Sequence, residues 1–196
     1  LREKNIAITY HPDEGRKLGL QGMINDLMNR SDFSTIEVAG KPNLDNLDNT
    51  PNSWNDIARG ITQAEIENWK PALSPFGKNN KRIPVIGITG MGGAGKSSMI
   101  DEIILRFMQD FPDKTVALVA IDPSIKVTGG AMLGDRIRMN STAMNDRTYM
   151  RSIATRESIT EIPAVTFAAI EVLKRAGYDL ILVETPGIGQ WHTQIT

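Results

Sequence analysis

The chain has 196 residues, 40% of them apolar and 23% charged, and its 22 basic and 23 acidic side chains leave a net charge of -1. That balance excludes nucleic-acid binding by bulk charge, because no excess of Lys and Arg is left to neutralise phosphates along a groove. The absence of cysteine excludes disulfides, thiolate nucleophiles and Cys-ligated zinc, and His11 and His192 are too few for a His-rich metal centre. No apolar run approaches a membrane span, and Leu1-Arg2-Glu3-Lys4 lacks an apolar signal core, so a soluble, cytoplasmic protein without membrane or nucleic-acid partners is expected. With Leu at its start, the chain reads as a piece of a longer protein.

Three regions follow in chain order. In residues 1–33, Ile6, Ile8 and Tyr10 alternate with Asn5, Ala7 and Thr9 as in a short strand. Pro12 and Asp13 then mark a helix start, and Leu20, Met23, Ile24, Leu27 and Met28 give that helix one apolar face. A strand and a helix cannot bury both faces alone, so this region reads as the end of a larger α/β unit. His11 reads as a loop residue. Residues 34–82 read as a linker with short helices. Lys41 to Asn55 is dense in Asn, Asp and Pro, which favour turns, and Asn43, Asn46, Asn49, Asn52 and Asn55 recur every third residue with no evident physical reason. Thr62 and Glu65 have capping-box spacing and open a short helix carrying Ile66 and Trp69, ended by Pro71 and Pro75. Trp54 and Trp69 are expected to dock apolar faces on a neighbour.

From residue 83 onward, Val85-Ile86-Gly87-Ile88, Val116 to Ile121 and Leu180 to Val183 are continuous apolar runs, the signature of parallel strands covered on both faces. Ile100, Ile103, Ile104, Phe107 and Met108 repeat at helical spacing between the first two runs. Ile162, Val165, Ala169, Val172 and Leu173 do so before the third, with Lys174 and Arg175 in the last turn and Gly177 as C-cap. Alternation of strand and helix gives an α/β fold with a parallel sheet flanked by helices, of the P-loop NTPase kind and incomplete.

Gly90-Met91-Gly92-Gly93-Ala94-Gly95-Lys96-Ser97 is a full G-x-x-x-x-G-K-S motif between a strand and a helix. Glycines let the backbone curl so that its N–H groups, from Gly92, Gly93, Ala94 and Gly95 onward, face phosphate oxygens. The helix opening near Lys96 adds unpaired N–H groups and the positive end of its dipole. Lys96 supplies a charge to the β- and γ-phosphates, Ser97 a hydroxyl for Mg²⁺ and Ser98 one for the α-phosphate. Asp122 and Glu184 end the second and third strands, at the sheet edge where ligands of open α/β sheets bind. Each is a candidate Mg²⁺ ligand, although Asp122 before Pro123 also fits a turn. Glu184 directly after four apolar residues is costly without a partner, and Gly187 can turn its N–H to a γ-phosphate. Thr128 to Met139 holds Gly129-Gly130, Asp135, Arg136 and Arg138, which read either as a nucleotide-dependent switch with Asp135 on Mg²⁺ or as an ordinary helix start. Arg147, Arg151 and Arg156 read as a solvated basic face or a partner surface.

Taken together, Gly87 to Ser98, Ile121-Asp122-Pro123-Ser124, Thr128-Gly129-Gly130 with Leu133 to Met139, and Val183-Glu184-Thr185-Pro186-Gly187-Ile188-Gly189-Gln190 resemble the G-protein chaperones of cobalamin-dependent acyl-CoA mutases. The Gly-Gly-Ala-Gly-Lys-Ser-Ser form, with Met150 to Glu157, is similar to the fused type, in which one polypeptide joins a cobalamin-binding domain, a GTPase domain and an isobutyryl-CoA mutase barrel. Gly19 to Leu27 resembles the end of that cobalamin domain. The resemblance implies GTP and Mg²⁺ as ligands and hydrolysis that gates adenosylcobalamin loading and protects the mutase. It also implies a mutase domain as partner and a homodimer in the full-length protein. By the same resemblance Lys96, Glu184 and Asp135 serve catalysis, Gly92 to Ser98 and Gly187 the nucleotide, and Ser97, Asp122, Asp135 and Glu184 the metal. Glu184 stands where most GTPases have the Asp of D-x-x-G. The guanine-reading Asn-Lys-x-Asp motif is absent, and so is an Asp-x-His-x-x-Gly cobalamin motif, since Gly15 lies one residue too far from His11. An ATP-using kinase or metal-insertion ATPase with the same loop, or an inactive fragment, are the alternatives.

Overall fold

The computed structural model describes residues 10–33, 47–68, 77–122, 139, 145–155 and 162–187. The chain divides into two compact units, residues 1–40 and 41–196.

Among the described residues of the first unit, helix α1 (Pro12–Ser31) begins at a reciprocal cap. The Asp13 N–H donates to His11 Nδ1 at 3.4 Å and the His11 N–H donates to Glu14 Oε2 at 2.8 Å. Pro12 occupies the first turn, where its missing N–H costs nothing. Gly19, with φ 64°, kinks the helix. The residues expected to form an apolar face do lie on this helix, but no residue of α1 is buried, and Leu20 and Met28 are 72% and 64% exposed. The strand expected over Ile6 to Tyr10 lies outside the described residues apart from Tyr10, whose hydroxyl donates to Asp26 Oδ2 at 2.7 Å.

The second unit is an α/β layer structure. Its strands β1 (Val85–Ile88), β2 (Val116–Asp122), β3 (Thr148–Ala154) and β4 (Leu180–Glu184) are all parallel, in the order β1-β4-β2-β3. Helices α2 (Trp54–Ile66), α3 (Lys96–Asp110) and α4 (Ala164–Ala176) accompany them. The continuous apolar runs of β2 and β4 resolve into two faces. Ala117, Val119, Ile121, Ile181 and Val183 join α4 and α2 in one core cluster, while Val116, Leu118, Leu180 and Leu182 join Ile100, Ile104 and Met108 of α3 in the other. β1 departs from the expectation: it pairs with β4, and Val85 and Ile86 are 38% and 48% exposed.

Three further expectations are corrected. Residues 54–66, expected as a turn or two of helix within a linker, form a helix of 13 residues whose Ile57 and Ile61 are fully buried in the cluster with α4, while Trp54 docks on its neighbours as expected, 6.4 Å from Tyr149 between ring centroids. Thr62 does not open a helix. α2 starts eight residues earlier, and the Thr62 hydroxyl donates to the Ala58 carbonyl at 2.9 Å, a bond available only inside a helix. Arg147 and Arg151 are not a solvated face. The Arg147 guanidinium donates to the Met108, Phe111, Pro112 and Lys114 carbonyls, closing the end of α3 where backbone acceptors are otherwise left over, and Arg151 donates to the Thr62 hydroxyl at 2.9 Å. Trp69 and Arg156 lie outside the described residues. In α4 the expected Gly177 cap is present, with φ 90°, but Lys174 is buried and paired with Glu171 at 3.1 Å.

Candidate functional site

The bend between β1 and α3 follows from its glycines. Gly93 and Gly95 have φ of 78° and 81°, a left-handed conformation that side chains resist, and Gly95 is the N-cap of α3. The Ala94 N–H donates to the Met91 carbonyl at 3.2 Å, which closes the turn. Gly95 has no side chain with which to cap α3, and among the described residues no other side chain does so, so its first N–H groups face outward for another acceptor. Gly92 to Gly95 and Ser98 are exposed, and the loop is open to solvent. Lys96 folds back over it: its ammonium donates to the Gly90 and Met91 carbonyls, each at 3.1 Å.

β4 lies beside β1 in a register that pairs Ile88 with Glu184. Glu184 is therefore delivered to the foot of the bend. The Ser97 hydroxyl donates to Glu184 Oε1 at 2.8 Å, joining two of the expected metal ligands directly. Asp122, on the neighbouring strand, lies two residues beyond Ala120, the register partner of Glu184. Both carboxylates are almost fully buried. The segment after β4 also rests on the bend. The Thr185 N–H donates to the Ile88 carbonyl at 3.0 Å, and a Cβ on Gly187 would lie 2.6 Å from the Gly92 nitrogen. Ser97, Glu184, Gly187 and the loop are thus brought together, with Asp122 one strand away. Thr185 was not singled out in the sequence, and its place directly after an end-of-strand carboxylate is the only signal that could have found it. Asp135, Arg136 and Arg138 lie outside the described residues.

The oxygen donors of Ser97, Glu184 and Asp122 suit a hard divalent cation. Among the described residues no group of three or more His, Cys, Asp or Glu could hold a metal ion. Mg²⁺ is a cation of this kind, taking one or two protein oxygen donors together with waters and substrate phosphates.

Residues 57–196 match the family model described as methylmalonyl-CoA mutase-associated GTPase MeaB. The fused isobutyryl-CoA mutase of Geobacillus kaustophilus is 46% identical over 207 residues, covering all of this chain and 19% of that protein. The fused isobutyryl-CoA mutase of Cupriavidus metallidurans is 42% identical, covering all of this chain and 18% of that protein. The mitochondrial methylmalonic aciduria type A homolog of Caenorhabditis elegans is 32% identical over 142 residues, 72% of this chain and 34% of that protein. The chain spans about a fifth of the length of the two fused mutases. With the family model covering more than half of its residues, the chain belongs to the MeaB family of methylmalonyl-CoA mutase-associated GTPases.

Proposed function

We propose that the second unit binds GTP with Mg²⁺ in the Gly90–Ser98 bend and hydrolyses it. Within the longer protein, this nucleotide cycle gates adenosylcobalamin loading onto an acyl-CoA mutase domain and protects that domain. The observation that carries the reading is the joining of Ser97 to Glu184 at 2.8 Å beneath an exposed, glycine-bent loop. The family and the names of the fused relatives support the mutase as partner.

Each residue's part follows from its position. The bend and the free N–H groups of α3 hold the phosphate oxygens. Lys96, already over the loop, exchanges the Gly90 and Met91 carbonyls for the β- and γ-phosphates. Ser97, Glu184 and Asp122 hold Mg²⁺ directly or through water, with Asp135 added from the segment that follows β2. An ion held there would supply positive charge against the phosphate oxygens as negative charge develops on them. Gly187 contributes its N–H beside the γ-phosphate. Residues 1–33 form the end of a cobalamin-binding domain, and the full-length protein is a cytoplasmic homodimer.

Titration of the full-length protein with GTP and ATP tests the nucleotide. GTP is expected to bind at least tenfold more tightly; equal affinity for ATP would overturn the assignment of guanine.

A further inference from the structure

Asn49, one of the regularly spaced asparagines without an evident role, reaches the sheet at the edge opposite the nucleotide site. Its Nδ2 donates to the Thr115 hydroxyl and to the Gly177 carbonyl, both at 3.0 Å. Thr115 immediately precedes β2, and Asp179 immediately precedes β4. Three hydrogen bonds join these two, and a fourth ties Thr115 to Leu180. The Thr115 N–H and hydroxyl donate to Asp179 Oδ2 at 2.9 and 3.1 Å, and the Asp179 and Leu180 N–H groups donate to the Thr115 carbonyl at 3.1 and 3.2 Å. The single hydroxyl proton of Thr115 thus goes to Asp179, and its lone pairs take Asn49. Lys81 and Lys114 pair with the other oxygen of Asp179.

The register of β2 against β4 runs from Val116 beside Leu180 to Ala120 beside Glu184, starting one residue beyond this junction. Apolar patterning does not determine that register by itself. A slip of two residues leaves every side chain on its own face of the sheet. It would still move Glu184 by about 7 Å along β2, at roughly 3.3 Å per residue, and so change its spacing from Asp122, bringing it level with Asp122 in one direction and level with Leu118 in the other. A carboxylate bound to one threonine removes the ambiguity.

We propose that the Asn49–Thr115–Asp179 junction is a register clamp. From the amino ends of β2 and β4 it positions the carboxylates of Asp122 and Glu184 at the carboxyl ends, and it fastens the chain entering the unit to the same point. Asp179 and Thr115 are positioning residues for the metal-ligating pair. The inference rests on the nucleotide reading above.

Release of a fluorescently labelled GDP from the full-length protein, followed across a Mg²⁺ titration, tests it. Asp179→Ala and Thr115→Val raise the Mg²⁺ concentration for half-maximal retention about tenfold. Asp179→Asn, which keeps an acceptor for Thr115, rescues most of the shift, and Asn49→Ala moves it about threefold. If Asp179→Ala does not fold, Thr115→Val, close in shape, carries the same comparison. Variants that unfold more easily but keep the Mg²⁺ midpoint within twofold of the parent would overturn the clamp. A parent protein that retains no labelled GDP at any Mg²⁺ concentration would instead overturn the nucleotide reading.

Discussion

One methyl group at residue 187 separates the two reasons for which this site uses glycine. Gly93 and Gly95 need their left-handed φ, whereas Gly187 is under no such demand. Alanine suits its backbone, but the new Cβ would stand 2.6 Å from the Gly92 nitrogen and 2.7 Å from the Gly92 Cα, where ordinary contact begins at 3.4 Å. The two segments must part by about 0.8 Å, the difference between 3.4 and 2.6 Å. Both obstacles are backbone, so no side chain can rotate away. Overpacking of this kind costs about 1–3 kcal/mol. The exposed Met91–Gly95 loop yields more readily than buried β4, so the displacement falls on the phosphate cradle. At about 1.4 kcal/mol per tenfold, Gly187→Ala is expected to weaken GTP binding by about tenfold to a hundredfold in isothermal titration. Unfolding by urea should shift by less than about 1 kcal/mol. A variant that binds GTP within a factor of two of the parent would refute the steric argument.

Ile61→Ala tests whether α2 belongs to the core: the side chain is fully buried, three carbons at about 0.8 kcal/mol each are lost, and the residual cavity brings the expected loss to about 3–4 kcal/mol in urea unfolding. A loss below about 1 kcal/mol would mean that α2 is peripheral. Arg147→Ala leaves the terminal carbonyls of α3 without their donor and should cost about 1–2 kcal/mol, with Arg147→Lys recovering only part because one ammonium cannot span four acceptors; hydrogen exchange localised to residues 107–114 provides the check. Burial pushes the Asp179 carboxyl up, but Lys81, the Thr115 N–H and Lys114 more than offset this and hold it below its ordinary value of 3.8. A carboxylate lowered by folding adds stability above its unfolded pKa and loses it as pH falls through the folded one. Stability should therefore drop from about pH 4 downward, and Asp179→Asn should flatten that slope; an unchanged slope would contradict the pairing.

The parallel sheet and the phosphate bend were legible because each leaves a local mark. Runs such as Leu180 to Val183 need no distant partner to be recognised, and a glycine bend with Lys96 and Ser97 is a pattern of neighbours in sequence. What escaped depends on partners far along the chain. Thr62 and Glu65 have capping spacing, yet burial of Ile57 and Ile61 against α4 extends the helix past them. β3 was not anticipated because Thr148 to Ala154 mixes Arg151 and Ser152 with Tyr149 and Ile153, and only its place beside β2 makes it a strand. Arg147 looks solvated in sequence because the carbonyls it binds lie 33 to 39 residues away. Asn49 is similar: 66 residues separate it from Thr115 and 128 from Gly177.

The central claim is that the Gly90–Ser98 bend grips a triphosphate beside a divalent ion. A crystal structure of the full-length protein with a non-hydrolysable GTP analogue and Mg²⁺ tests it most directly. The expected map shows the triphosphate along the bend, the Lys96 ammonium moved from the Gly90 and Met91 carbonyls to the β- and γ-phosphates, and the Ser97 hydroxyl on the ion. An empty bend, with the analogue bound elsewhere on the protein, would contradict the account.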